Sequence, residues 1–184
     1  MIQALVGQLR PVIESIRQFD QQLKERFQQH DDYTLFDSFP GSGSVLGPRL
    51  LSAFGSNRER FECAMEVQNL SGIAPVTERS GKSSWVHWRL ACPKFLRQSF
   101  HEFAAQSIPR SLWAQALYDK LRAQGVDHHA AVRALAYKWI RIMFRCWKDR
   151  TPYDEALYIA SLTRRGSPLV AALSSQLQAP GGNL

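Results

Sequence analysis

The chain has 184 residues, of which 45% are hydrophobic and 21% charged, the proportions of a folded globular protein rather than of a disordered or fibrous one. It carries 23 Lys and Arg against 16 Asp and Glu, a net charge of +7 that admits a polyanionic partner and makes nucleic acid the leading one. No apolar run approaches the roughly 20 residues of a membrane helix, and Gln3, Gln8 and Arg10 interrupt the N-terminus, so the expectation is a cytoplasmic protein with no membrane partner. Cys63, Cys92 and Cys146 are widely spaced and form no C-x-x-C pair, which fits a reducing compartment and argues against a disulfide framework or a zinc knuckle.

In chain order, Ile2, Leu5, Leu9, Val12, Ile16, Phe19, Leu23 and Phe27 recur at alternating steps of three and four, the seam of a coiled coil over 1–32. The same pattern suits a core helix of a small bundle, and Pro11 either kinks the helix or marks its start. The turn formers of Asp37-Ser38-Phe39-Pro40-Gly41-Ser42-Gly43-Ser44 come next, then Val45, Leu46, Leu50, Leu51 and Phe54 at helical spacing before Gly55. That order reads helix, hairpin, helix.

A further amphipathic helix is expected over 58–70, stopped by Gly72. From 71 to 93 no helical period survives and no strand ladder is evident, so the segment reads as a long polar loop. Helices follow at 95–107, 111–123 and 127–148, with Asp127 as N-cap of the last, and a short one begins at Pro152. The fold class is thus all-α: a coiled-coil helix (1–32), a compact helical domain containing a helix-hairpin-helix motif (33–165), and a flexible tail (166–184).

Several clusters bear on chemistry. Gly41, Ser42 and Gly43 resemble the turn of a helix-hairpin-helix, where backbone N–H groups approach a phosphate unobstructed by Cβ atoms; an ordinary glycine-rich connection has the same composition. Gly81-Lys82-Ser83 ends like a P-loop, but the glycine required five positions earlier is Val76, which excludes that motif. The five histidines form no metal-ligand pattern, and Asp31-Asp32 and Asp154-Glu155 sit where carboxylates complement helix dipoles.

Ser80 stands between Arg79 and Gly81, with Lys82, Arg89, Lys94 and Arg97 downstream. A serine attacking a phosphodiester needs an exposed backbone and cations to stabilise the phosphoryl oxygens, although most loop serines are simply turn formers. In the long helix, Trp139, Ile142, Met143 and Cys146 read as core. The interspersed Arg133, Lys138, Arg141, Arg145 and Lys148 read as a solvated face or the lining of a nucleic-acid channel.

Taken together, Phe39-Pro40-Gly41-Ser42-Gly43, Phe54-Gly55, Arg60-Phe61, Leu70-Ser71-Gly72-Ile73-Ala74-Pro75, Arg79-Ser80-Gly81 and Leu96-Arg97 form an ordered series. Over roughly 31–158 it resembles the C-terminal domain of the serine-nucleophile insertion-sequence transposases of the IS-one-ten type, or bridge recombinases. The resemblance implies DNA and guide RNA as partners, Ser80 as the nucleophile of a covalent phosphoseryl DNA intermediate, and a homo-oligomer formed through the coiled coil. It also implies a RuvC-like acidic domain holding magnesium. This sequence opens on the coiled coil, so the expectation is a truncated transposase that lacks that domain, with a separate RuvC-like domain as a candidate partner in trans; no cofactor or metal is expected in the chain, and the chain alone is expected to be inactive. The competing expectations are a non-catalytic nucleic-acid-binding or dimerisation module and an inactive transposase remnant.

Overall fold

A computed structural model describes residues 2–87, 89–170 and 173. The architecture is helical, with one small antiparallel hairpin among the described residues. The first helix, α1 (Ile2–Gln28), runs through Pro11 without ending there. At 1.5 Å per residue it extends about 40 Å, yet only Phe27, in its last turn, is buried. The ring of Phe27 fills the space beside Gly47, where an added Cβ would lie 2.7 Å from it. The apolar seam from Ile2 to Leu23 is therefore exposed among the described residues, which argues against the core-helix reading.

A five-residue helix α2 (Tyr33–Asp37) leads through Ser38-Phe39-Pro40-Gly41-Ser42 into α3 (Gly43–Phe54), the expected helix, turn and helix. The single helix expected at 58–70 is instead a 3-10 turn at Arg58–Arg60, capped by Asn57, followed by α4 (Ala64–Leu70). Phe61 is extended between them, because its buried ring is drawn against Trp147 at 6.1 Å.

The region expected to be a loop contains β1 (Val76–Ser80) and β2 (Ser83–His87), paired antiparallel from Val76↔His87 to Ser80↔Ser83. The connection is the two-residue Gly81-Lys82. Gly81 has φ +56° and Lys82 does not share the positive sign, the pattern of a type II′ turn, whose twist suits a hairpin. Both faces of this ribbon are solvated, so neither strand carries the apolar alternation that would mark it in sequence.

Beyond the hairpin lie α5 (Lys94–Ser107), α6 (Leu112–Ala123), α7 (His128–Asp149) and α8 (Glu155–Arg164). Asp127 caps α7 by accepting from the His129 N–H, as expected. The last helix starts later than Pro152 because Asp154 caps it, accepting from the Leu157 N–H at 2.9 Å. Asp32, expected to complement a helix end, makes no cap bond and binds Arg58 instead.

Helix α7 is the hub and packs against α4, α5 and α6. Its buried Trp139 stacks among Phe39, Phe103, Trp113 and Tyr153. Each buried indole N–H has an acceptor: Trp139 donates to Ser107 Oγ at 2.7 Å, Trp113 to the Tyr153 hydroxyl at 2.7 Å, and Trp147 to the Gly55 carbonyl at 2.8 Å. Most of the expected tail lies outside the described residues; in its described part Leu169 and Leu173 are buried against the core. No described helix is long and apolar enough to cross a membrane.

Candidate nucleic-acid interface

Ser80 is the last residue of β1 and is exposed. Its hydroxyl makes no hydrogen bond among the described residues, and Gly81 beside it has open space within 4 Å of where a Cβ would stand. The pairing register places Ser80, Ser83, Glu78, Trp85 and His87 on one face of the ribbon. On that face Glu78 accepts from Trp85 Nε1 at 3.2 Å and pairs with His87 Nε2 at 3.2 Å. Arg79 lies on the other face with Ser84, and Lys82 is exposed in the turn.

The remaining expected cations sit at the ribbon's base. Arg89 Nη2 donates to Asn69 Oδ1 at 3.2 Å, while Arg97 Nη2 donates to the Arg89 carbonyl and reaches Cys92 Sγ. Both side chains are half-buried and hold the 89–92 segment under Gly72. Gly72 has φ +69°, and a Cβ there would be 2.4 Å from Cys92 Sγ and 3.0 Å from Arg97 Nη2. Only a residue without a side chain fits this approach of backbone to sulfur and guanidinium. Lys94 opens α5 and is exposed.

Arg97 is also the first member of a basic stripe that sequence spacing alone did not isolate. Arg97 and His101 are four apart on α5, His129 and Arg133 are four apart on α7, and the two helices pack so that the His101 and His129 rings lie 5.6 Å apart. Burial, then the neighbouring Arg97 charge, lowers the Arg133 pKa. Burial, followed by His129, likewise lowers that of His101 and favours its neutral form. Arg133 also lines a cavity of about 140 Å³ with Gly72, Ile73, Ala74, Val86 and His87, which ties the stripe to the foot of the ribbon. The matched i, i+4 spacing was the available signal; which two helices face each other was not.

The other expected site, Gly41, Ser42 and Gly43, lies elsewhere. Gly41 (φ +89°) packs on the carbonyl of Gln106, at the far end of α5. Ser42 is buried, its hydroxyl donating to the Asp37 carbonyl at 3.3 Å, and of the three only Gly43 is exposed. Gln106 and Arg97 are nine residues apart on one helix, about 13 Å, so the turn and the ribbon stand at opposite ends of α5 rather than forming one pocket.

Among the described residues no group of three or more His, Cys, Asp or Glu side chains is placed to hold a metal ion.

Residues 33–119, from α2 into α6 and including the ribbon, match the family model described as Transposase IS116/IS110/IS902 family. The chain is 30% identical over 159 residues to the mini-circle putative transposase for IS117 of Streptomyces coelicolor, covering 86% of the chain and 38% of that protein. It is 30% identical over 146 residues to the insertion element IS900 uncharacterized 42 kDa protein of Mycobacterium paratuberculosis, covering 77% and 36% respectively. A third relative, the insertion element IS116 uncharacterized 44.8 kDa protein of Streptomyces clavuligerus, is 26% identical over 153 residues, covering 83% and 38%. The chain thus spans little more than a third of the length of each of these relatives.

Proposed function

Because the chain belongs, through residues 33–119, to the IS116/IS110/IS902 transposases, we propose that it is the part of a DNA transposase that presents a nucleophilic serine to DNA, and that Ser80 is that serine. The observation that carries this reading is the placement of Ser80: exposed at the tip of a narrow ribbon, beside a glycine with open space around it, where a phosphodiester can approach in line.

In the proposed step the Ser80 hydroxyl loses its proton to a base and its oxygen attacks phosphorus. The P–O3′ bond breaks, the 3′ oxygen leaves and takes up a proton, and a phosphoseryl bond remains on the other strand end. Attack by a 3′ hydroxyl reverses the step onto a new strand, so no oxidant and no nucleotide hydrolysis is required. Lys82 in the turn and Arg97 at the base supply positive charge along the path of the strand, with Arg89 and Lys94 beside it. The exposed N–H end of α3 near Gly43 is a backbone-phosphate contact on the same reading. DNA and a guide RNA are the proposed nucleic-acid partners, and a second copy of α1 the proposed partner of the apolar seam.

The described residues do not fit a magnesium site, and no step assigned to them runs through one. A metal-bearing acidic domain, supplied from outside these residues, is the proposed complement. One observation favours a narrower role for the chain by itself: among the described residues no side chain is hydrogen-bonded to the Ser80 hydroxyl to accept its proton, which suits a module that binds without cleaving until complemented.

The test is a reconstitution with an acidic RuvC-like domain, guide RNA and DNA, read as a covalent protein–DNA adduct on a denaturing gel. Ser80→Ala should abolish the adduct and leave DNA binding in place. An adduct that persists moves the nucleophile elsewhere.

A further inference from the structure

On the side of α7 facing α8 lies a groove of about 870 Å³, outside the ribbon site. Its wall carries Lys138, Arg141 and Arg165; its floor and rim carry Tyr153, Leu157 and Tyr158. None of these three cations makes an ion pair with a carboxylate among the described residues, whereas Arg145 beside them is held by Asp149. The single carboxylate on the wall, Asp154, is turned to the α8 N-terminus as its cap.

The charge here is uncompensated and focused. Lys138 is half-buried, its Nζ 5.4 Å from the centroid of the Trp113 ring, and Trp113 in turn lies 5.0 Å from the Tyr158 ring. Burial, then the like charges of Arg141 and Lys120, depress the Lys138 ammonium below its ordinary range. Burial pushes the Tyr158 phenol up to about 12, against the opposing pull of Arg141 and Arg165, so both guanidiniums stand near its hydroxyl. Leu157 is 70% exposed at the rim, an apolar surface left open among the described residues.

We propose that this groove is a second nucleic-acid surface, which seats a single-stranded segment with its phosphates on Lys138, Arg141 and Arg165 and a base against Tyr158 and Leu157. The proposal rests on the reading of the chain as a nucleic-acid enzyme. A cationic wall alone would serve a duplex equally well. The apolar floor between the cations rewards only a strand whose bases are unstacked and free to turn inward.

The experiment measures fluorescence anisotropy of the full chain with a labelled 12-nucleotide oligo(dT), and with a duplex of equal length, across a salt series. The Arg141→Gln/Arg165→Gln double variant should bind the single strand about tenfold or more weakly, with a log–log salt slope shallower by about 1.4, about 0.7 for each phosphate left without its guanidinium. Tyr158→Leu should weaken the single strand at unchanged slope and leave the duplex unaffected. Both arginines are exposed, so an unchanged melting temperature verifies the fold.

Wild-type binding that the double variant leaves intact in affinity and slope overturns the groove while sparing the Ser80 reading. Variants that lose binding of a labelled oligo-glutamate peptide but keep the oligonucleotide overturn it in favour of a protein partner. A wild-type chain that binds no oligonucleotide overturns both readings.

Discussion

Ser80 and Arg79 are neighbours in sequence and lie on opposite faces of the β1–β2 ribbon, because successive strand residues alternate and the register pairs Ser80 with Ser83 and Arg79 with Ser84. The residues sharing a face with Ser80 are Val76, Glu78, Ser83, Trp85 and His87, and the cation adjacent in sequence faces away.

On the proposed reading, Arg79 then assists capture of DNA more than chemistry at Ser80. Arg79→Gln should weaken DNA binding a few-fold and flatten its salt dependence by about one phosphate, while adduct yield at saturating DNA stays near wild type. A binding isotherm paired with an adduct assay checks this. A loss of adduct at saturation would place the guanidinium at the reacting phosphate.

Two glycines with positive φ differ in what surrounds them. Gly81→Ala meets open space and should cost only the left-handed backbone penalty of about 1–2 kcal/mol, confined to the ribbon. Gly72→Ala adds the encounter with Cys92 Sγ and Arg97 Nη2 and should cost about 1–3 kcal/mol more. Denaturant midpoints of the two variants measure the difference.

The Asp32–Arg58 pair ties the start of α2 to the 3-10 turn, with side-chain exposures of 10% and 12%. Arg58 also lies over Trp147 at 5.0 Å, so its charge is held between a carboxylate and a buried ring. Asp32→Asn leaves that guanidinium without its counter-charge and should destabilise the domain by about 3–5 kcal/mol. Chemical denaturation shows it directly, and an Asp32→Asn/Arg58→Met double variant should recover part of the loss.

The exposed seam of α1 predicts self-association that is separable from folding. Leu9→Glu with Ile16→Glu should reduce the mass in multi-angle light scattering to one chain and leave the melting temperature of the core unchanged, since only Phe27 of this helix is buried. A fall in melting temperature equal to that of a core variant would instead mean that the seam packs within its own chain.

Thiol reactivity should be ranked by burial. Burial, then the nearby Asp149, raises the Cys146 thiol to about 11, so at pH 8 only about one part in a thousand is thiolate. Exposed Cys63 should be alkylated first. Mass spectrometry after timed iodoacetamide treatment gives the order, and raising the pH toward 11 should accelerate Cys146.

Local sequence was informative where the signal is local. Asp127 followed by a helical run marked the α7 cap, and the cluster at 37–44 marked the turn before α3. The ribbon was missed because both its faces are wet, so Val76 to His87 carries no period-two apolar pattern; the Gly81-Lys82 turn was its only signal. Phe61 was misread as helical because its extension is decided by Trp147, 86 positions away in the numbering of the chain.

The sequence by itself determined the helical class, the sticky seam of α1, the basic charge and the ordered motifs that identify the family. Each depends on residue type and short-range spacing. Tertiary packing decided which cations share a surface. The α5–α7 contact assembled Arg97, His101, His129 and Arg133 into one stripe, and the course of the chain after α7 left Lys138, Arg141 and Arg165 around one groove. Helix periodicity says which residues share a face, but which faces meet follows from how the large rings of Trp113, Trp139 and Trp147 close-pack, and that is a property of the whole core.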